Sequence, residues 1–190
     1  SHRVSRWLDN DIQFNPLNAK YYSTKGYLLS DLGLNIEAIK EYNMAIQLNP
    51  SYADYYCNKG NSLSDLGKYS EAIEEYNKAI QLNHLDSMYY CNKGISLSDL
   101  GLNSEAIEEY NKAIELDPLN SDIWNALGFF LENKADYEAA AEAYQQALKL
   151  DWKNKNALIN LPSALFMQGQ FEKSLESSNA GIEIYPNPFS

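Results

Sequence analysis

A chain of 190 residues that is 45% apolar and 13% aromatic has ample material for a packed core, which excludes wholesale disorder. Its net charge of −11 gives a field that repels phosphate backbones, so nucleic acid is not an expected partner. No run reaches the roughly 18 apolar residues that span a bilayer and no signal peptide opens the chain, so no membrane insertion is expected.

The sequence starts at Ser1 rather than Met and reads as a fragment or a processed chain. Residues 1–16 end in DIQFNP, which falls on the AIQLNP that closes the next segment. They read as the second helix of a truncated repeat or as an N-terminal cap.

From residue 19 onward a 34-residue period organises everything. Residues 53–86 and 87–120 agree at about 25 of 34 positions, with YYCNKG, SLSDLG and SEAIEEYNKAI in register. Residues 19–52 belong to the same series, 121–154 keep the frame with a changed sequence, and 155–188 keep it loosely. Pro16, Pro50 and Pro118 mark the same point in the period, where His84 and Trp152 stand in the other units.

Each unit predicts two amphipathic helices. In residues 53–86, Tyr56, Lys59, Gly60, Leu63 and Leu66 recur at helical steps, and Gly67 ends that helix. Ser70 opens the next one, with Glu71 and Glu74 favouring its N-terminal dipole. Ala72, Ile73, Tyr76, Ala79 and Ile80 then carry a second apolar stripe. One hairpin cannot bury both stripes alone, so successive hairpins must stack. The unit at 155–188 departs from this: Pro162 takes the glycine position, and Ser174, Ser178 and Gly181 replace Ala, aromatic and Ala. A kinked, degenerate end repeat is expected there.

Little points to chemistry. His2 and His84 are the only histidines, and His84 stands where other units carry a turn proline. Cys57 and Cys91 lie one period apart, which fits two reduced thiols and neither a metal site nor a disulfide framework. Reduced thiols point to a cytoplasmic home. No glycine-rich phosphate loop appears, and the glutamate clusters repeat with the period as solvated outer faces. No enzyme activity, metal or cofactor is expected.

An aromatic, Gly four residues on, then Ala, aromatic, Ala and Pro is the tetratricopeptide repeat (TPR) signature. Tyr22, Gly26, Ala38, Tyr42, Ala45 and Pro50 carry it, as do Trp124, Gly128, Ala140, Tyr144 and Ala147. The chain resembles that family from about residue 19 to 186. The resemblance implies an all-α, right-handed superhelix (α-solenoid) of helix-turn-helix hairpins: repeats at 19–52, 53–86, 87–120 and 121–154, and a degenerate one at 155–188.

It also implies a protein-interaction scaffold that takes a peptide segment in a concave groove lined by the first helices. Carried over position by position, that groove holds Tyr27, Asp31, Asn58, Asn61, Asp65, Asn92, Ile95, Asp99, Asn125, Phe129 and Phe166. Asp31, Asp65 and Asp99 place one carboxylate per repeat, either to cap and solvate the turn or to select Lys and Arg on a ligand. Phe129, Phe166 and Met167 make the later positions apolar, as ligand anchors or as packing under the last repeat. A basic and apolar peptide is the expected partner. The Lys/Arg clamp by which some TPR domains hold acidic chaperone tails has its basic positions unfilled, so such tails are disfavoured. The alternative is a structural module that self-associates through its repeat ends.

Overall fold

The computed structural model describes residues 17–185, so the expected helix within 1–16 and the tail after Tyr185 lie outside the described residues. Those described are all-α. The first helices are α1 (Ala19–Asp31), α3 (Ala53–Asp65), α5 (Ser87–Asp99), α7 (Ser121–Asn133) and α9 (Lys155–Met167). The second helices are α2 (Asn35–Leu48), α4 (Tyr69–Leu82), α6 (Asn103–Leu116), α8 (Tyr137–Leu150) and α10 (Phe171–Ile184). Within each series, every helix starts 34 residues after the one before. Packing divides the chain into two compact units, 1–106 and 107–190, with the boundary inside α6.

In the first unit, one contact sets how closely each hairpin closes. A β-carbon added at Gly60 of α3 would lie 2.6 Å from the Tyr76 ring of α4, and one at Gly26 of α1 would lie 2.8 Å from Tyr42 of α2. Neither tyrosine side chain exceeds 1% exposure, and Ala38, Ala45, Ala72 and Ala79 beside them are fully covered. Burying each ring contributes roughly 1.5–3 kcal/mol. Around the second hairpin, Ala53, Cys57, Leu63, Ala72, Tyr76, Ala79 and Tyr89 form a continuous core, with Ile39 packed against it from α2.

The turn after α3 is a Schellman cap: the Lys68 N–H donates to the Leu63 carbonyl at 2.9 Å and the Gly67 N–H to Ser64 at 2.8 Å. It requires a left-handed residue, and Gly67 supplies φ +73°. Ser70 does not open α4 as expected, but lies one residue inside it. The backbone carbonyl of Lys68 takes the N-cap role instead and accepts from Ala72 at 2.9 Å, because the cap leaves no residue between Gly67 and the helix except Lys68.

In the second unit, Gly128 of α7 meets the Tyr144 ring of α8 in the same way, with a β-carbon 2.7 Å from it. Ala140, Ala141, Tyr144 and Ala147 pack with Ala157, Leu161, Ala164 and Leu165 of α9 to form the core. The turn between α7 and α8 places Ala135 at φ +60°, where the equivalent turn of the first unit has glycine. Helix α9 runs through Pro162 without interruption. Ser178 and Gly181 leave no ring to pack against Pro162, and an open cavity of about 360 Å³ forms there between α9 and α10.

Two expectations follow for stability. Gly60→Ala forces a methyl group into the Tyr76 ring and lowers the unfolding free energy by about 1–3 kcal/mol. At the turns, Gly67→Ala also loses roughly 1 kcal/mol, here to left-handed strain, whereas Ala135→Gly relieves such strain and gains a similar amount. Urea titrations of the three variants check this, and an Ala135→Gly variant no more stable than the parent would contradict it.

A third concerns alkaline pH. Burial pushes the Cys57 thiol from 9.0 up to about 12, and raises the Tyr42, Tyr76, Tyr89 and Tyr144 hydroxyls well above the ordinary tyrosine value. The folded state therefore holds these protons more tightly than the unfolded chain. Their contribution to stability is full below about pH 9 and is lost as pH rises from there toward the folded-state values. Urea midpoints that fall between about pH 9 and 11 are expected, and midpoints flat through that window would contradict it.

Candidate functional site

Asp31, Asp65 and Asp99 are the last residues of α1, α3 and α5, and all three are exposed. A carboxylate there faces the negative end of the helix dipole, where cations are favoured. None of these helices carries a basic residue in its last turn. No described residue makes an ion pair or hydrogen bond with the Asp31 or Asp65 side chain, so neither caps the turn that follows. Partial enclosure raises the Asp99 carboxyl above its ordinary value.

The buried tyrosines connect the core to this surface. Each ring is anchored in the hairpin and delivers its hydroxyl toward the polar side of a first helix. The Tyr76 hydroxyl donates to Asn61 Oδ1 at 2.9 Å, and Asn92 Nδ2 donates to the same oxygen at 3.1 Å. Asn92 also reaches Cys57 Sγ at 3.6 Å. In the second unit the Tyr144 hydroxyl donates to Glu132 Oε2 at 2.8 Å, and Ser163 donates to Glu132 Oε1 at 2.7 Å.

Tyr42 differs. Among the described residues its hydroxyl has no hydrogen-bond partner, although the side chain is 1% exposed. The position that holds Asn61 one period on is Tyr27 here, whose ring offers no amide oxygen. The Tyr42 hydroxyl instead opens into a cavity of about 250 Å³. Helix α1 contributes Tyr27, Ser30 and Asp31 to its walls, and α3 contributes Asn58, Asn61 and Asp65. Ser30 is engaged, donating to Asn35 Oδ1 at 2.9 Å and accepting from Ser62 at 3.1 Å. The Asn58 amide has no partner among the described residues.

Five of the residues singled out in the sequence thus share one cavity: Tyr27, Asp31, Asn58, Asn61 and Asp65. Asn92 joins them through its bond to Asn61, whereas Ile95 and Asp99 stand exposed on α5 away from its walls. In the second unit, Phe129 is 55% and Phe166 57% exposed; neither is packed away under the last hairpin. The Phe166 ring meets Phe171 edge-on, with centroids 5.1 Å apart. Asn125 is half-buried on α7, and its Oδ1 is buried without a hydrogen-bond partner. Sequence reasoning missed Tyr42. Tyr42 reads as a core aromatic, and the signal that gives it a polar role is the substitution of Tyr27 for the asparagine that serves the next tyrosine.

No helix among the described residues is long and apolar enough to cross a membrane. No curated protein sequence matches the chain. Solved structures match its fold at low identity. The APC/C hetero-tetramer Cut9–Hcn1 matches with a TM-score of 0.85 and 21% identity over 97% of this chain and 37% of that one, so the chain spans little over a third of its length. YrrB, described as a TPR protein with an unusual peptide-binding site, matches with a TM-score of 0.62 and 23% identity over 96% and 94%. MamA 41-end from Desulfovibrio magneticus RS-1 matches with a TM-score of 0.71 and 19% identity over 90% and 97%. Tetratricopeptide repeat patterns match residues 53–84, and also 91–155 and 131–187, with a further TPR repeat pattern at 26–67. The chain belongs to the tetratricopeptide repeat family.

Proposed function

We propose that this chain is a non-catalytic scaffold that binds a segment of another protein on the polar side of its first helices, and that the segment carries both basic and apolar residues. The cavity between α1 and α3 carries the reading: two carboxylates without internal partners, two asparagines and an exposed tyrosine ring face one space. A surface that leaves its acidic groups unneutralised at helix C-termini is complementary to a cation. In the second unit, the exposed Phe129 and Phe166 rings are of the type that anchors interfaces. The two units support the reading separately.

Selection from a random phage-displayed peptide library tests it. Peptides enriched in Arg or Lys together with aromatic or aliphatic residues are the expected outcome; acidic enrichment would contradict it. Affinity of a selected peptide is expected to fall with ionic strength, and Asp65→Lys to weaken it at least about tenfold by reversing the local charge. Affinity that ignores both salt and Asp65→Lys would remove the electrostatic half of the reading.

The terminal hairpin supports a second reading, self-association. Ile159, Ile182 and Tyr185, which caps α10, are exposed and line the cavity that Pro162 and Ser178 leave, and Leu175 is exposed on α10 as well. Sedimentation at two concentrations distinguishes the two. A mass that rises with concentration and reverts to monomer in Ile182→Asp favours assembly through this face, and a concentration-independent monomer argues against it.

A further inference from the structure

The cavity between α1 and α3 has features that narrow what it takes. Its volume, about 250 Å³, is that of several water molecules at about 30 Å³ each, and lies below the range of pockets for drug-sized ligands. It is a side-chain-sized space. Buried Tyr42 lines it together with Asn58 and Asn61 of α3, and with Asp31 and Asp65, the last residues of α1 and α3.

The Tyr42 hydroxyl is the decisive group. Its counterparts on Tyr76 and Tyr144 are held by Asn61 and Glu132. At Tyr42 the chain keeps a buried ring but supplies no partner among the described residues, and it opens the hydroxyl into a cavity rimmed by negative charge. The two carboxylates, the asparagine oxygens and the lone pairs of the Tyr42 hydroxyl are all acceptors. The complementary group therefore carries positive charge and several hydrogen-bond donors, while the Tyr42 O–H remains free to donate to a carboxylate or water.

Building on the proposed function, we propose that this cavity is a receptor for one arginine guanidinium of the bound protein segment. A guanidinium has five N–H donors fanned in a plane, enough to reach Asp31, Asp65, the Tyr42 oxygen and an asparagine oxygen together; an ammonium has three donors at a single point. Its flat face also stacks on an aromatic ring, and Tyr27 is 60% exposed at the rim. One period on, Asn61 already accepts from Tyr76 and Asn92, so the polar groups there are engaged with each other rather than open to a guanidinium.

The test uses the whole chain, isotope-labelled, and three five-residue peptides: Ac-Ala-Ala-Arg-Ala-Ala-amide, its lysine version and its citrulline version, which keeps the shape without the charge. The arginine peptide is expected to shift the amide resonances of α1 and α3 around the cavity saturably, the lysine peptide several-fold more weakly, and the citrulline peptide not at all. Free L-arginine serves as a separate arm, and binding it more tightly than the peptide would overturn the assignment to a protein segment. Tyr42→Phe keeps the buried ring and is expected to weaken the arginine peptide roughly three- to tenfold, the effect of one hydrogen bond. Asp31→Asn weakens it further, whereas Glu74→Gln, exposed on the second helix α4 and off the cavity, leaves it unchanged. Equal shifts with arginine and citrulline, or an arginine affinity unmoved by both Tyr42→Phe and Asp31→Asn in helical, folded protein, would overturn the proposal. If library-selected peptides still bind with salt sensitivity in that case, the interaction reading stands and only the arginine receptor falls.

Discussion

The contact between a first-helix glycine and a second-helix tyrosine governs both the packing and the surface of this protein. A β-carbon at Gly26, Gly60 or Gly128 would sit within 3 Å of the facing ring, so each of these hairpins closes to a distance only glycine permits. That closeness buries Tyr42, Tyr76 and Tyr144 almost completely and makes their position rigid. It has a second effect, because a tyrosine is apolar along its length and polar at its tip. Fixing the ring fixes where the hydroxyl emerges, which is among the polar residues of the first helices. Core packing and surface chemistry are therefore set by one side chain.

What happens at that tip depends on which first-helix side chains lie beside it. Asn61 and Glu132 accept the hydroxyl and close the polar network around it. The Tyr42 hydroxyl has no such acceptor among the described residues, and it lies at a cavity also lined by the unpaired carboxylates of Asp31 and Asp65. An acidic net charge alone predicts only a preference for cationic partners at long range. The cavity adds short-range geometry to that preference, which is what discriminates one cation from another. In the last hairpin the same contact is missing altogether: Pro162 faces Ser178, and an apolar-sided cavity replaces the ring.

Much of this is legible in the sequence because the repeat reports on itself. The all-α class and the paired helices follow from the 34-residue period, since glycine, alanine and tyrosine recur where close packing needs them. Five of the candidate surface residues converge because equivalent positions on successive first helices are neighbours in space. Other features were hidden for physical reasons. Ser70 is a good capping residue by type, yet the Schellman cap at Gly67 leaves that role to the Lys68 backbone. Tyr42 matches the family pattern, and a residue that matches a pattern gives no hint that its hydroxyl lacks an acceptor. Ala135 in a left-handed turn is a strain that only the backbone angles disclose.

The central claim is that Tyr76 serves the fold with both its ring and its hydroxyl, while Tyr42 serves it with the ring alone. Urea denaturation of Tyr42→Phe and Tyr76→Phe, measured side by side, tests this most directly, because the two rings are equally buried and the substitution removes one oxygen from each. The account predicts that Tyr76→Phe loses about 0.5–1.5 kcal/mol with its bond to Asn61 and that Tyr42→Phe changes stability by much less. Equal losses from the two variants would mean that the Tyr42 hydroxyl is already spoken for within the fold, and would contradict the account.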